Sequence, residues 1–250
     1  MHRHAILRKP GPNFAQGITT AHIGMPDYTL ALHQHGKYAE ALEKLGLSLT
    51  VLDADPLYPD GCFVEDTAII TDYTAIITKP GHPARTGEEK KIAEILTQRM
   101  PVEYITGSGT VDGGDILRVD QHFYIGRSDR TNSEGAHQLA AILSKYGYAT
   151  SEVPVSAGLH LKSSATYIGK NNVLATCAFA PYFDTHNIID VGDEEYAANS
   201  VLVNGFVLFA AGFPDTKAKL MEARYQLIEL DMSEFRKMDG GLTCLSLLLE

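Results

Sequence analysis

Residues 201–210 read VLVNGFVLFA, two apolar, β-rich runs on either side of Asn204-Gly205. That dipeptide tolerates positive φ at both central positions of a type I′ turn, so the stretch is a tight hairpin. The same signal recurs at 64–78 around Thr71-Asp72-Tyr73, at 115–126 around Asp120-Gln121, and at 165–176 around Gly169-Lys170-Asn171-Asn172. A fifth hairpin is split: the C-terminal run 242–249 and the N-terminal run 4–8 are lone strands that can pair with each other. Counted from their first residues, the five hairpins fall 51, 50, 36 and 41 residues apart. Self-similarity at about 20–50 residues marks a propeller-like or stacked array. A generic α/β domain with several hairpins is the plainer alternative.

The segments between hairpins repeat as well. Asp27 caps a predicted helix running to about Leu45, with Ala31, Gln34, Tyr38, Leu42 and Leu45 on one face and Gly46 as its stop. Thr86 and Glu89 have the spacing of a capping box for a helix to about Arg99. Asn132 or Ser133 opens the next helix, and Asp215 or Thr216 another. Short strands follow at 47–52, 102–106, 149–153 and 225–230, whereas the connection near residues 193–199 is too short for a full helix.

The chain has 250 residues, enough for one large domain or two small ones, and the repeat favours a single domain over 1–250. With 44% hydrophobic and 21% charged residues it is an ordinary globular composition. Lys and Arg total 21 against 31 Asp and Glu, a net charge of −10, which repels nucleic acid and anionic membrane surfaces and welcomes cationic small molecules. Cys62, Cys177 and Cys244 are odd in number and lack C-x-x-C spacing, which argues against a disulfide framework and a zinc site. The opening MHRHAILRKPGP lacks the apolar run of a secretory signal, and no run approaches the roughly 18 residues of a membrane span. The expectation is a cytoplasmic protein.

Nearly every residue capable of chemistry lies in a polar junction entering a hairpin: 59–66 (PDGCFVED), 110–115 (TVDGGD), 158–162 (GLHLK) and 238–244 (MDGGLTC). If the repeats surround a common axis, such junctions converge as the loops at one face of a barrel do. Taken singly, each residue has a plainer reading. A cysteine in LTCLSLLL is a small buried hydrophobe, His160 between leucines is a core histidine, and Asp112 and Asp115 beside Gly-Gly shape a turn. Glu65-Asp66, adjacent carboxylates where burial is expected, call for a cation. Together the parts give a thiol nucleophile, an imidazole acid/base with an orienting carboxylate, and further carboxylates that match the fork of a guanidinium. His33 and His35 do not make a metal pair, because i, i+2 side chains on a helix point apart.

The motifs FVEDTAIIT, TVDGGDILRV, IGRSDRTNSEG, LHLKSSATYI and DGGLTCLSL, in this order and spacing, closely resemble the dimethylarginine dimethylaminohydrolase family of guanidino-group-modifying enzymes, essentially from end to end. The resemblance implies the pentein fold, an α/β-propeller of five ββαβ modules around a pseudo-fivefold axis, the fifth closed by the N- and C-terminal strands. It implies Cys244 as nucleophile, His160 as general acid/base and Asp112 as its partner carboxylate. Glu65 and Asp66 would face the guanidinium, Asp60 and the Ile18 segment the α-amino group, and Arg85 and Arg130 the α-carboxylate. Met238 would touch substrate largely through its backbone. Arg85 is followed by Thr86 where many members carry a second arginine, which leaves open which loop arginine reads the carboxylate. Lys162 and Asp115 are expected to be supporting or turn residues.

The implied reaction is hydrolysis of a C–N bond of a linear amidine: asymmetric dimethylarginine, or monomethylarginine, gives citrulline and the methylated amine through a covalent alkylthiouronium. No metal or organic cofactor is implied, the partner is the small methylated substrate, and a homodimer is compatible with the reading. Arginine deiminases use the same logic on unmethylated arginine, but are longer and carry an Arg-Asp pairing where this chain has FVED. A noncatalytic ribosome-binding pentein is the remote alternative, and it has no need of these residues or of this charge.

Overall fold

A computed structural model describes all 250 residues. Five three-stranded sheets repeat one topology: a hairpin whose second strand is central, a crossover, and a third strand parallel to it. The Asn204-Gly205 hairpin pairs Val201–Val203 with Phe206–Ala210, Val203 opposite Phe206, and Gln226–Leu230 lies parallel on the far side. Asn204 takes the positive φ that the turn requires. In the split repeat, His4–Arg8 pairs antiparallel with Leu247–Leu249 and parallel with Ser48–Leu52.

By contact the chain divides into two compact units, Met1–Phe63 with Ser163–Glu250, and Val64–Lys162. The second unit holds two sheets, Ala68–Ile70 with Ala75–Ile77 and Val102–Tyr104, and Ile116–Val119 with His122–Arg127 and Ala149–Pro154. Helices Glu89–Thr97 and Ser133–Lys145 make the crossovers. Ile69, Ile76, Val111, Ile116, Phe123 and Leu139 share one buried cluster there. The first unit holds the other three sheets, with helices Tyr28–Lys44 and Pro214–Glu222 as crossovers in two of them. In the third, Asn187–Asp190 runs parallel to Asn172–Ala175 and the crossover carries only a 3₁₀ turn, Ala180–Phe183. The compressed connection is therefore here rather than at 193–199.

Helix starts follow local chemistry. The Asp27 carboxylate accepts from the Leu30 N–H and Asn132 from the Gly135 N–H, so both expected caps form. The Thr86–Glu89 capping box does not: Thr86 ends the turn Pro83–Arg85, and Glu89 accepts from Gly87 N–H instead. No helix is long and apolar enough to cross a membrane.

Each hairpin is preceded by one short helical turn: Val64–Thr67, Gly113–Asp115, Leu161–Ser164, Glu195–Ala198 and Thr243–Leu245. Four of these five junctions adjoin the candidate site residues of the sequence.

Candidate active site

In the unit Val64–Lys162, three junctions meet around His160, which is buried. Its Nε2 lies 3.9 Å from an Asp66 oxygen and 3.8 Å from an Asp112 oxygen, and its Nδ1 lies 3.4 Å from Asp115 Oδ1. The Gly113-Gly114 pair permits this approach. An ideal Cβ on Gly113 would stand 2.0 Å from the Glu65 carbonyl oxygen, and one on Gly114 would stand 2.8 Å from the imidazole. The Gly114 N–H donates to Asp66 Oδ1 at 2.8 Å, tying the first junction to the second.

The carboxylates have separate supports. Asp66 pairs with the Arg85 guanidinium at 2.5 Å, and Arg85 also pairs with Glu88. Asp112 accepts from the Gly81 N–H at 2.7 Å and faces Arg130 at 3.4 Å. Asp115 accepts from the hydroxyls of Ser128 and Thr131, both at 2.6 Å, and from the Leu161 N–H at 3.1 Å. Glu65 is ion-paired with Lys162. The oxygens of Asp66 and Asp112 and a ring nitrogen of His160 lie within 4.8 Å of one another.

Burial opposes a charged imidazole, but Asp66, Asp115 and Asp112 outweigh it and lift His160 to about 9. Burial likewise opposes a charged Asp66, yet Arg85 and His160 hold it down at about 2. Asp112 moves the other way: burial and the neighbouring Asp66 push its carboxyl above the usual range. At neutral pH the cluster thus contains a protonated imidazole among carboxylates of unequal basicity.

In the other unit, Cys244 sits in the turn Thr243–Leu245, buried, with the Gly241 N–H 3.4 Å from its Sγ. Asn199 braces this turn, since its Oδ1 accepts from the Thr243 N–H and its Nδ2 donates to the Thr243 hydroxyl. The Tyr196 hydroxyl donates to the Gly240 carbonyl at 2.7 Å. Phe14, Phe63 and Phe235 pack with ring centroids 5.4 to 6.3 Å apart in the same core cluster as Cys244. Asp60 accepts the Ile18 N–H on both carboxylate oxygens, at 3.2 and 3.1 Å. The strand of chain after Ile18 is pinned beside Met238, because the Thr19 hydroxyl donates to the Lys237 carbonyl and the Thr20 N–H to Asp239. Ile18 is thereby held by Asp60, and the two residues after it by the neighbours of the buried Met238.

Arg85, expected at a substrate carboxylate, is 4% exposed and engaged by Asp66 and Glu88. Lys162, expected as a supporting or turn residue, is ion-paired with Glu65. Asn199 is not among the expected site residues, yet it stands buried in the fourth junction and braces the turn that holds Cys244; a buried asparagine just ahead of a hairpin is the signal.

The family model described as "N,N dimethylarginine dimethylhydrolase, eukaryotic" matches residues 27–180. The N(G),N(G)-dimethylarginine dimethylaminohydrolase of Pseudomonas aeruginosa is 45% identical, over 99% of each chain. The enzyme of that name from Streptomyces coelicolor is 34% identical over 99% of this chain and 97% of its own. A crystal structure of the Pseudomonas protein, a Cys-to-Ser variant complexed with citrulline, superposes with a TM-score of 0.97 over 100% of both chains at 44% identity.

Proposed function

The chain belongs to the dimethylarginine dimethylaminohydrolase family, a pentein-fold hydrolase that converts dimethylarginine to citrulline, and from that premise we propose which of its residues carry the reaction. Cys244 is the nucleophile. Binding of the substrate's guanidinium favours its thiolate electrostatically. The sulfur attacks the guanidinium carbon, and His160 gives a proton to the dimethylamino nitrogen as that C–N bond breaks. Dimethylamine leaves and an alkylthiouronium remains on Cys244. His160, now neutral, takes a proton from water as the oxygen adds to the same carbon. The C–S bond then breaks, the urea oxygen's remaining proton passes to solvent, and citrulline departs.

The observation that carries this assignment is the buried imidazole of His160 within 3.4 to 3.9 Å of three buried carboxylates, whose charges favour its protonated form. A leaving amine needs a proton donor at neutral pH, and this cluster supports one. Asp66 and Glu65 are assigned to the guanidinium. Asp60, fixed by the Ile18 amide, is assigned to the α-amino group together with the backbone at Ile18 and Met238. For the α-carboxylate, Arg130 is the better candidate, since Arg85 is engaged by two carboxylates and Arg130 faces Asp112 only at 3.4 Å.

The test compares citrulline release from asymmetric dimethylarginine, monomethylarginine and arginine, with Cys244→Ser and His160→Gln as controls. Both methylated substrates should turn over and both variants should lose activity. A methyl group is worth only about 1–3 kcal/mol in an apolar pocket, so the preference over arginine is a measured quantity. Preference for free arginine would shift the reading to a deiminase.

A further inference from the structure

The three carboxylates about His160 divide unequally between its two nitrogens. Asp66 and Asp112 approach Nε2, and each has an arginine of its own, Arg85 and Arg130. Asp115 approaches Nδ1, and its one ion-pair partner is the imidazole. A buried carboxylate without a counter-ion is strongly destabilising, and Asp115 is completely buried. The ring is therefore its cation. Both oxygens of Asp115 are also fixed in direction: the Ser128 and Thr131 hydroxyls hold Oδ2, and the Leu161 N–H holds Oδ1 from the residue that follows His160. Thr131 in turn accepts the Asp112 N–H, so one hydroxyl sets the spacing of the two aspartates.

We infer that Asp115 is the positioning residue of His160, holding a proton on Nδ1 and leaving Nε2 as the nitrogen that gives and takes the proton in the reaction. The inference rests on the assignment of His160 as acid/base. Asp112, expected as the partner carboxylate, then lies on the reacting side of the ring with Asp66. The imidazolium loses its Nε2 proton to the leaving nitrogen, keeps its Nδ1 proton toward Asp115, and regains the Nε2 proton from water. The charged groups around the ring are Asp66, Asp112 and Asp115, with Arg85 and Arg130 behind the first two and the Glu65–Lys162 pair on the adjoining turns.

Asp115→Asn keeps the size of the side chain and removes its charge. In that variant kcat should fall on the order of 10²- to 10⁴-fold, the range of acid–base catalysis, with KM little changed, and the limb of the pH profile that reports His160 should move to lower pH. A purely structural role would lower the yield of folded enzyme without moving that limb. Nitrogen chemical shifts of labelled histidine in the unaltered protein give an independent readout: the neutral ring should carry its proton on Nδ1. A neutral ring protonated on Nε2, or an Asp115→Asn enzyme that titrates like its parent, overturns the inference. Full activity in His160→Gln would instead overturn the acid/base assignment itself, so the two failures are distinguishable.

Discussion

Replacing Arg85 by methionine separates two roles that the sequence leaves superimposed. The guanidinium is enclosed with Asp66 and Glu88, whose side chains are 4% and 1% exposed. Removing one partner of a buried ion pair costs about 3–5 kcal/mol, because the other charge is left uncompensated. Here one cation serves two carboxylates, which places the loss near the upper end, ~5 kcal/mol. For a chain of this size each kcal/mol moves the melting temperature by about 2–4 °C, so the variant should melt ~10–20 °C below its parent. Arg85 is also the largest influence holding Asp66 down against burial, and without it acid unfolding should begin at higher pH. Urea and thermal unfolding followed by circular dichroism, run beside steady-state kinetics, measure both effects. If Arg85 instead reads the substrate's carboxylate, the loss is of a charged hydrogen bond worth ~1.5–3 kcal/mol, and KM rises about 10- to 150-fold. A variant that melts within a few degrees of its parent while KM rises by that amount would refute the reasoning from burial.

Two buried histidines should give stability opposite dependences on pH. His160 has a folded value of about 9, above the ordinary 6.5, so its contribution of ~3 kcal/mol is complete below about pH 6.5 and is lost as pH rises through 9. His35 is held neutral by burial with a value of about 4, so it costs nothing above 6.5 and destabilises by up to ~3 kcal/mol as pH falls from 6.5 to 4. His35→Gln should abolish most of the acid-side loss in urea unfolding, and identical profiles for parent and variant would contradict this. Gly113→Ala drives a Cβ against the Glu65 carbonyl, with backbone on both sides and no rotamer to relieve it, and should cost about 1–3 kcal/mol together with activity. Gly36→Ala, in the helix Tyr28–Lys44 with open space at its Cβ, should stabilise by about 0.5–1 kcal/mol. Thermal melts of the two alanine variants should therefore move in opposite directions.

The hairpins were legible because alternation and turn residues act over a few positions, as at Asn204-Gly205. So were the caps Asp27 and Asn132, whose partners lie three residues on. Long-range chemistry hid the rest. The amides of Asp215 and Thr216 are capped by Glu194, about twenty residues away, and the parallel strand Asn187–Asp190 is too short to show a period. The site residues stood out as a set, since a thiol, an imidazole and several acids recur at hairpin entrances. Their division of labour did not. Which aspartate faces which nitrogen of His160, and whether Arg85 meets substrate or Asp66, depend on rotamers and neighbours from other modules. A GGD motif reads the same whether its last residue shapes a turn or holds a ring.

Cys244, as the proposed nucleophile, must form a covalent intermediate with dimethylarginine. Rapid acid quench of the enzyme during turnover, followed by peptide mass spectrometry, tests it directly. The peptide containing Cys244 should gain the mass of dimethylarginine less dimethylamine, and the adduct should vanish in Cys244→Ser. An active enzyme with no such adduct under conditions that trap it, or with the adduct on Cys62 or Cys177, would contradict the account.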